Sequence, residues 1–158
     1  MSQRKSPRLH GFDYTQKLIY FVTTNCYHHK NYFGKIIKDG LNNQMVLSEI
    51  GKIARFKIEE LSSHHPGTEV ITSVVMPNHV HLLLSMENEL KGASLSTIVG
   101  SYKAGVSRLA GKIRPGIELW QTTFHDHIMR DEKDLSYHYD YIETNVFRWD
   151  KDEYYKAG

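Results

Sequence analysis

Two histidines, His79 and His81, lie in the stretch Met76-Pro77-Asn78-His79-Val80-His81-Leu82-Leu83-Leu84. It reads as a tight turn followed by a strand. Successive side chains of a strand point to opposite faces, so the two imidazoles share one face and Val80, Leu82 and Leu84 share the other. The apolar row can pack on helices. Two bare imidazoles among apolar neighbours are costly to bury without a partner. Side by side, they can hold a metal ion.

Further downstream, Tyr137, Tyr141 and Asn145 are each four residues from the next. On a helix, residues at i and i+4 lie one above the other. A helix laid over the imidazole face would bring an amide oxygen and a phenol to the histidines. His79, His81 and Asn145 would then hold a divalent ion, with Tyr141 beside it. An ion with mixed nitrogen and oxygen ligands and open positions can polarise a phosphate oxygen. A tyrosine next to it can be a nucleophile. Its phenol, with an ordinary pKa of about 10, needs help to ionise, and a nearby cation favours phenolate. Tyr137 is the rival nucleophile on the same stripe.

The elements that would position these residues can be read in chain order. Leu18 to Thr24 is β-branched and aromatic and reads as a strand. Asn25 to Asn43 is loop-like, with room for a short hairpin near Phe33–Ile37 and Gln44–Leu47. Ser48 can cap a helix in which Ile50, Ile53, Ala54, Lys57, Ile58 and Leu61 recur at helical spacing. His64-His65-Pro66-Gly67 ends it. Glu69 to Met76 is the next strand, and Pro77-Asn78 suits the centre of a β-turn. The histidine strand should therefore pair antiparallel with its predecessor. Ser94 or Ser96 can cap a helix to about Ala110, with Leu95, Ile98, Val99, Tyr102, Val106 and Leu109 on one face. Leu119 to Met129 reads as one or two short strands. Asp131, with Asp134 three residues on, opens a last helix to about Val146.

Strand, helix, strand, strand, helix, strand is the order of a split βαβ, or ferredoxin-like, α+β fold: an antiparallel sheet with helices on one face. The additional C-terminal helix, which carries Tyr141, is free to lie on the other face, with the imidazoles.

A length of 158 residues suits a single domain spanning 1–158. Residues 1–16 would be an arm, ordered by Leu9, Phe12 and Tyr14, and 147–158 a charged and aromatic tail. No apolar run has the length of a membrane span, and no apolar region follows the basic N-terminus. The lone Cys26 cannot form an internal disulfide. These features suggest a cytoplasmic protein. The net charge of +2 is small, but Leu90 to Ile117 has no acidic residue and carries Lys91, Lys103, Arg108, Lys112 and Arg114. Such a one-sign stretch suits a polyanion, with Lys103, Arg108, Lys112 and Arg114 as candidate DNA contacts. A solvated helix face with acidic partners elsewhere in the fold explains it as well.

A chain with ten histidines produces the His-x-His pattern by chance. His125 and His127 are a second instance, better explained as hydrogen-bonded structural side chains or phosphate contacts. The pairs His28-His29 and His64-His65 lie in expected surface loops. Tyr102, Tyr154 and Tyr155 suit packing or surface roles.

The segment Val75 to Leu84 resembles the metal motif of HUH single-strand nucleases, in which two histidines flank a bulky apolar residue. The similarity is greatest to the IS200-like, or Y1, transposases, and among them to the REP-associated tyrosine transposases. It extends to Arg8–Tyr14, Tyr20–Thr23, Leu119–Gln121, His125–Arg130 and Tyr141–Asn145. The resemblance implies that His79, His81 and Asn145 bind Mg2+ or Mn2+. It implies that Tyr141 becomes joined to a DNA 5′-phosphate, releasing a 3′-OH, on single-stranded DNA beside a hairpin. In relatives a proline usually follows the asparagine; here Val146 does, which lets the helix continue. Family members act as helix-exchanging dimers or as monomers, so a homodimer is possible. A non-catalytic, domesticated nucleic-acid binder on the same fold, and a phosphodiesterase that uses water, remain the other classes.

Overall fold

The computed structural model describes residues 17–87 and 94–151. The expected arm at 1–16, Lys91 of the basic stretch, and Tyr154 and Tyr155 of the tail lie outside the described residues.

The elements in order are β1 (Lys17–Cys26), β2 (Gly34–Asp39), β3 (Asn42–Leu47), α1 (Glu49–Glu59), a helical turn α2 (Leu61–His64), β4 (Thr68–Met76), β5 (His79–Glu87), α3 (Leu95–Ile113), β6 (Trp120–Ile128) and α4 (Glu132–Glu143). Single 3₁₀ turns follow β1 at Tyr27–His29 and follow α4 at Trp149–Lys151. The main sheet has the order β4-β5-β1-β6, with every pairing antiparallel. This is the expected ferredoxin-like α+β arrangement. Pro77 and Asn78 join β4 to β5 as a two-residue turn, since Met76 pairs with His79. Among the described residues, no helix is long and apolar enough to cross a membrane.

The alternation of β5 decides the layering. Val80, Leu82 and Leu84 turn to one side, where they join Val22, Ala54, Ile58, Ile98, Val99, Tyr102 and Val106 in a buried cluster beneath α1 and α3. Tyr102 is a packing residue, its hydroxyl donating to the carbonyl of Ala54 at 3.0 Å. Leu83 turns to the other side. There it packs with Ile19 of β1 and with Leu135, Tyr139 and Ile142 of α4. The last helix thus covers the histidine face from within the same chain.

Helix ends follow local chemistry. The Ser48 hydroxyl accepts from the Gly51 amide at 3.0 Å, and Ser94 rather than Ser96 caps α3, accepting from the Thr97 amide at 3.2 Å. Asp131 caps α4 by accepting from the Asp134 amide at 2.8 Å. Helix α3 runs to Ile113, past the expected end near Ala110. Helix α4 instead stops at Glu143, short of the expected Val146. The Thr144 hydroxyl donates to the Asp140 carbonyl at 2.7 Å, and the next residues turn tightly, with the Asn145 amide on the Ile142 carbonyl at 3.2 Å. The β2–β3 hairpin holds this turn. Asn43 Nδ2 donates to the carbonyls of Val146 and Phe147 at 3.2 and 3.0 Å, and Lys38 pairs with Asp150 at 3.4 Å.

Leu135 is 1% exposed at the centre of the contact between α4 and the sheet. Leu135→Ala should lower the unfolding free energy by about 2–5 kcal/mol, through lost burial and the cavity left behind. Urea unfolding checks this. A change well under 1 kcal/mol would mean that α4 is not held by this contact.

Candidate functional site

The site is assembled from three strands and the end of a helix. His81, Thr23 and His125 lie opposite one another across β5, β1 and β6, and His79 lies opposite Asn25. Cross-strand partners share a face. His79 and His81 are both buried, at 0% and 1% exposure, with ring centroids 4.5 Å apart.

Each imidazole is oriented through Nδ1. His79 Nδ1 lies 2.8 Å from Asn78 Oδ1. The Asn78 amide is itself fixed, because its Nδ2 donates to the carbonyl of His29 at 3.3 Å. An oxygen therefore faces His79, which makes Nδ1 the proton-bearing nitrogen and leaves the lone pair on Nε2. His81 Nδ1 lies 2.8 Å from the Thr23 hydroxyl. Outer partners of this kind set the tautomer and aim of a metal-binding imidazole. The carbonyl used by Asn78 comes from an unusual backbone, with His28 and His29 both at φ 52°. Left-handed residues other than glycine cost roughly 1–2 kcal/mol each.

The other half of the site comes from α4 and the turn after it. Tyr141 presents its ring edge-on to His81, with centroids 5.4 Å apart, and to Phe21 at 6.0 Å. Asn145 is fully buried, and its side chain lies close enough to His79 to influence that ring's charge. It does so from just beyond the helix rather than from a continuing helical stripe. Four residues singled out by type and spacing, His79, His81, Tyr141 and Asn145, thus converge on one place. Tyr137 is 65% exposed and stacks on the outer side of Tyr141 at 6.5 Å.

Burial controls the charge. It pushes the His81 pKa down to about 3, with the neighbouring His138 imidazole and the Arg148 guanidinium adding to the effect. Burial also pushes His79 well below the ordinary range, with His81 and His29 adding to the effect and the nearby Asn145 side chain opposing it. Both rings are therefore neutral near pH 7, the form in which histidine binds metals. Two neutral imidazoles and an amide oxygen fit a divalent cation of borderline hardness.

The basic residues of α3 are not brought to this place. That helix lies against the opposite face of the sheet. Lys103 is committed to packing, its ammonium donating to the Gln121 carbonyl at 2.6 Å and sitting 5.8 Å over the Trp120 ring. Arg108, Lys112 and Arg114 are exposed, with the Arg114 guanidinium 5.4 Å over the Tyr32 ring.

Two neighbours, Arg148 and Trp149, carry no sequence pattern that marks them. Arg148 donates to the Tyr141 carbonyl at 2.9 Å and sets its guanidinium 4.6 Å over the Tyr141 ring. Trp149 is buried and stacks near His79 at 6.3 Å. His127, with the expected structural hydrogen bond, meets Asp134 at 2.9 Å. His127, Asp134 and His138 form a further group whose ligand-capable atoms lie within 4.8 Å of one another.

The sequence matches the family Transposase IS200 like over residues 17–145. The chain belongs to this family and is a transposase, an enzyme of DNA transposition. Its similarities point within the family to the REP-associated tyrosine transposases. An uncharacterized protein of Haemophilus influenzae is 30% identical over 171 residues, covering 96% of this chain and 93% of that one. Another protein of that organism, named for the REP-associated tyrosine transposases, is 31% identical over 99 residues, covering 58% and 56%. A solved REP-associated tyrosine transposase bound to a REP hairpin shares the fold, with a TM-score of 0.61 at 21% identity over 92% of this chain and 72% of that one. A transposase-named protein of Deinococcus radiodurans R1 does so with a TM-score of 0.55 at 20% identity, over 89% and 97%.

The depressed histidine pKa values make stability depend on pH in the metal-free protein. The unfolded chain takes up protons near the ordinary value of 6.5, whereas folded His81 waits until about 3. Below 6.5 the unfolded state binds more protons, so stability is full above that pH and falls as the pH drops. Each ring can contribute a slope of up to about 1.4 kcal/mol per pH unit. Urea unfolding between about pH 6.5 and pH 5 should show this slope, flattened in a His79→Gln/His81→Gln double variant. An equally steep slope in the double variant would mean that the rings are not held neutral by burial.

Proposed function

We propose that the chain acts as one domain, a single-strand DNA endonuclease and strand transferase with Tyr141 as its nucleophile. His79, His81 and Asn145 would hold Mg2+ or Mn2+. The observation that carries this reading is the meeting of Tyr141 with His81 at 5.4 Å between ring centroids, with the buried Asn145 side chain beside His79. When bound, the ion would polarise a phosphate oxygen and offset charge on the reacting phosphate.

The chain's own groups account for the rest. Tyr141 Oη attacks the scissile phosphorus, joins the 5′-phosphate and releases a 3′-OH. The bond energy is kept in the phosphotyrosine, so the same site can rejoin strands without a nucleotide cofactor. The Arg148 guanidinium, 4.6 Å over the Tyr141 ring, is a permanent cation at a place where a phosphate must come. Single-stranded DNA would lie along the face carrying Phe21, His125, Tyr137 and Tyr141, with bases stacking on the aromatic rings. The relative bound to a REP hairpin supports a hairpin beside the cleaved strand. Because α4 packs on the sheet of its own chain through Leu135 and Ile142, one copy supplies the whole site and a homodimer is not needed for cleavage. Arg108, Lys112 and Arg114, on the far face, would serve at most for the more distant duplex.

With Mn2+ and a hairpin-bearing single strand, the wild-type chain should form a covalent adduct visible as a gel shift under denaturing conditions. Tyr141→Phe should form none, and Tyr137→Phe should form it normally. A full adduct from Tyr141→Phe would sink the assignment. Tight DNA binding with no adduct from the wild type would favour a non-catalytic binder, and cutting without an adduct would favour attack by water. Removing an orienting partner, as in Asn78→Ala, should weaken Mn2+ binding by about 10- to 100-fold in a calorimetric titration. Unchanged affinity would remove the role given to Nδ1.

A further inference from the structure

Asp134 is the hub of a second polar group beside Tyr141. Its carboxylate accepts from His127 Nε2 at 2.9 Å and from the Arg130 amide at 3.2 Å. His138 Nδ1 lies 3.2 Å from the same carboxylate and 2.8 Å from the Asp134 main-chain carbonyl. Both of these oxygens are acceptors, so Nδ1 carries the ring proton and Nε2 the lone pair.

The ring is also clamped mechanically. It stacks on His127 at 5.0 Å, tilts against Phe21 at 4.7 Å and meets Tyr137 edge-on at 5.1 Å. His138 precedes Tyr141 by three residues on α4, so the two are neighbours on one helix face. Both line an open cleft of about 310 Å3 together with Phe21, Thr23, His81 and the edge of β6. Phe21 stands between His138 and the imidazole pair, stacked on His81 at 5.0 Å.

We propose that His138, oriented by Asp134, is the proton acceptor for Tyr141 during cleavage and the proton donor during rejoining. This rests on Tyr141 being the nucleophile. In the forward step the Oη proton passes to His138 Nε2, the Oη–P bond forms and the P–O3′ bond breaks. The departing 3′-oxyanion takes a proton from water. In rejoining, a 3′-OH attacks the phosphotyrosine and loses its proton to water. The P–Oη bond breaks, and the His138 imidazolium returns its proton to the phenolate oxygen. The phenol needs such a partner because its ordinary pKa is about 10, and a positioned base contributes roughly 10²- to 10⁴-fold. Asp134 stays ionised throughout. Burial works against its charge, but the hydrogen bonds from His127 and the Arg130 amide and the nearby imidazoles hold its pKa below the ordinary value.

The titratable and charged groups around His138 come from each packed element. They are Asp134, Tyr137 and Tyr141 on α4, and His125, Asp126 and His127 on β6. His81 on β5 lies beyond Phe21, and Arg148 lies past the helix end. Strand β1 offers only Phe21 and Thr23 to the cleft.

The test is the single-turnover rate of adduct formation on a hairpin-bearing strand with saturating Mn2+, followed across pH. His138→Gln should lower the rate by about 10²- to 10³-fold with DNA affinity unchanged, and should remove the acidic limb of the rate profile. Added imidazole should partly restore His138→Ala, and Asp134→Asn should lose about 10-fold or more. A His138→Gln rate within twofold of wild type, or a lost rate with the acidic limb intact and no imidazole rescue, overturns the proposal. Tyr141→Phe separates the two readings. If it abolishes the adduct while His138→Gln does not slow it, only the proton role fails. If it leaves the adduct intact, the nucleophile assignment fails as well.

Discussion

Everything in this molecule that resembles chemistry depends on one apolar contact, the seating of α4 on Leu83 and Ile19. Leu83 is two residues beyond His81 and therefore on the same side of β5. The strand that aims the imidazoles also supplies the surface on which the tyrosine helix rests. Burying a leucine or isoleucine contributes about 1.5–3 kcal/mol, and Leu83, Ile19, Leu135 and Ile142 are each no more than 2% exposed. That seat helps to fix the separation of Tyr141 from His81, whose rings meet at 5.4 Å.

Around this seat, polar groups are used to aim rather than to hold. Asn78 and Thr23 each occupy one nitrogen of a histidine, and Asp134 occupies one nitrogen of His138. In all three cases the bond fixes how the ring is turned. The arrangement is costly in isolation, since buried neutral imidazoles and a left-handed His28-His29 turn both oppose folding. The two large apolar clusters on either side of the sheet offset it.

Much of this was legible in the sequence because it depends on short periods. Alternation in Val80–Leu84 placed the imidazoles opposite the helical layer. Four-residue spacing put Tyr137 and Tyr141 on one stripe of α4, whereas Asn145 comes to the site from the turn past the helix end. Ser48 and Asp131 marked helix starts through bonds spanning three residues. The features that escaped depend on long-range contacts. Lys103 looks solvent-facing on a helical wheel, but the β6 carbonyls come from a strand far along the chain and capture it. Arg148 and Trp149 reach the site only because the chain turns after Glu143. Asp134 looks like a second capping acid, and only the pairing of β1 with β6 reveals that His127 is within its reach.

The turn after Glu143 has a consequence of its own. Relatives are expected to place a proline after the asparagine, a stop signal written into the local covalent chain. Here Val146 occupies that position and would permit another helical turn. What ends the helix is Thr144 together with Asn43, which reaches across from the β2–β3 ribbon to the carbonyls of Val146 and Phe147. Termination has thus passed from a local code to a tertiary one. The position of Asn145 next to His79 becomes a property of the assembled fold, set partly by a hairpin that contributes no reactive group.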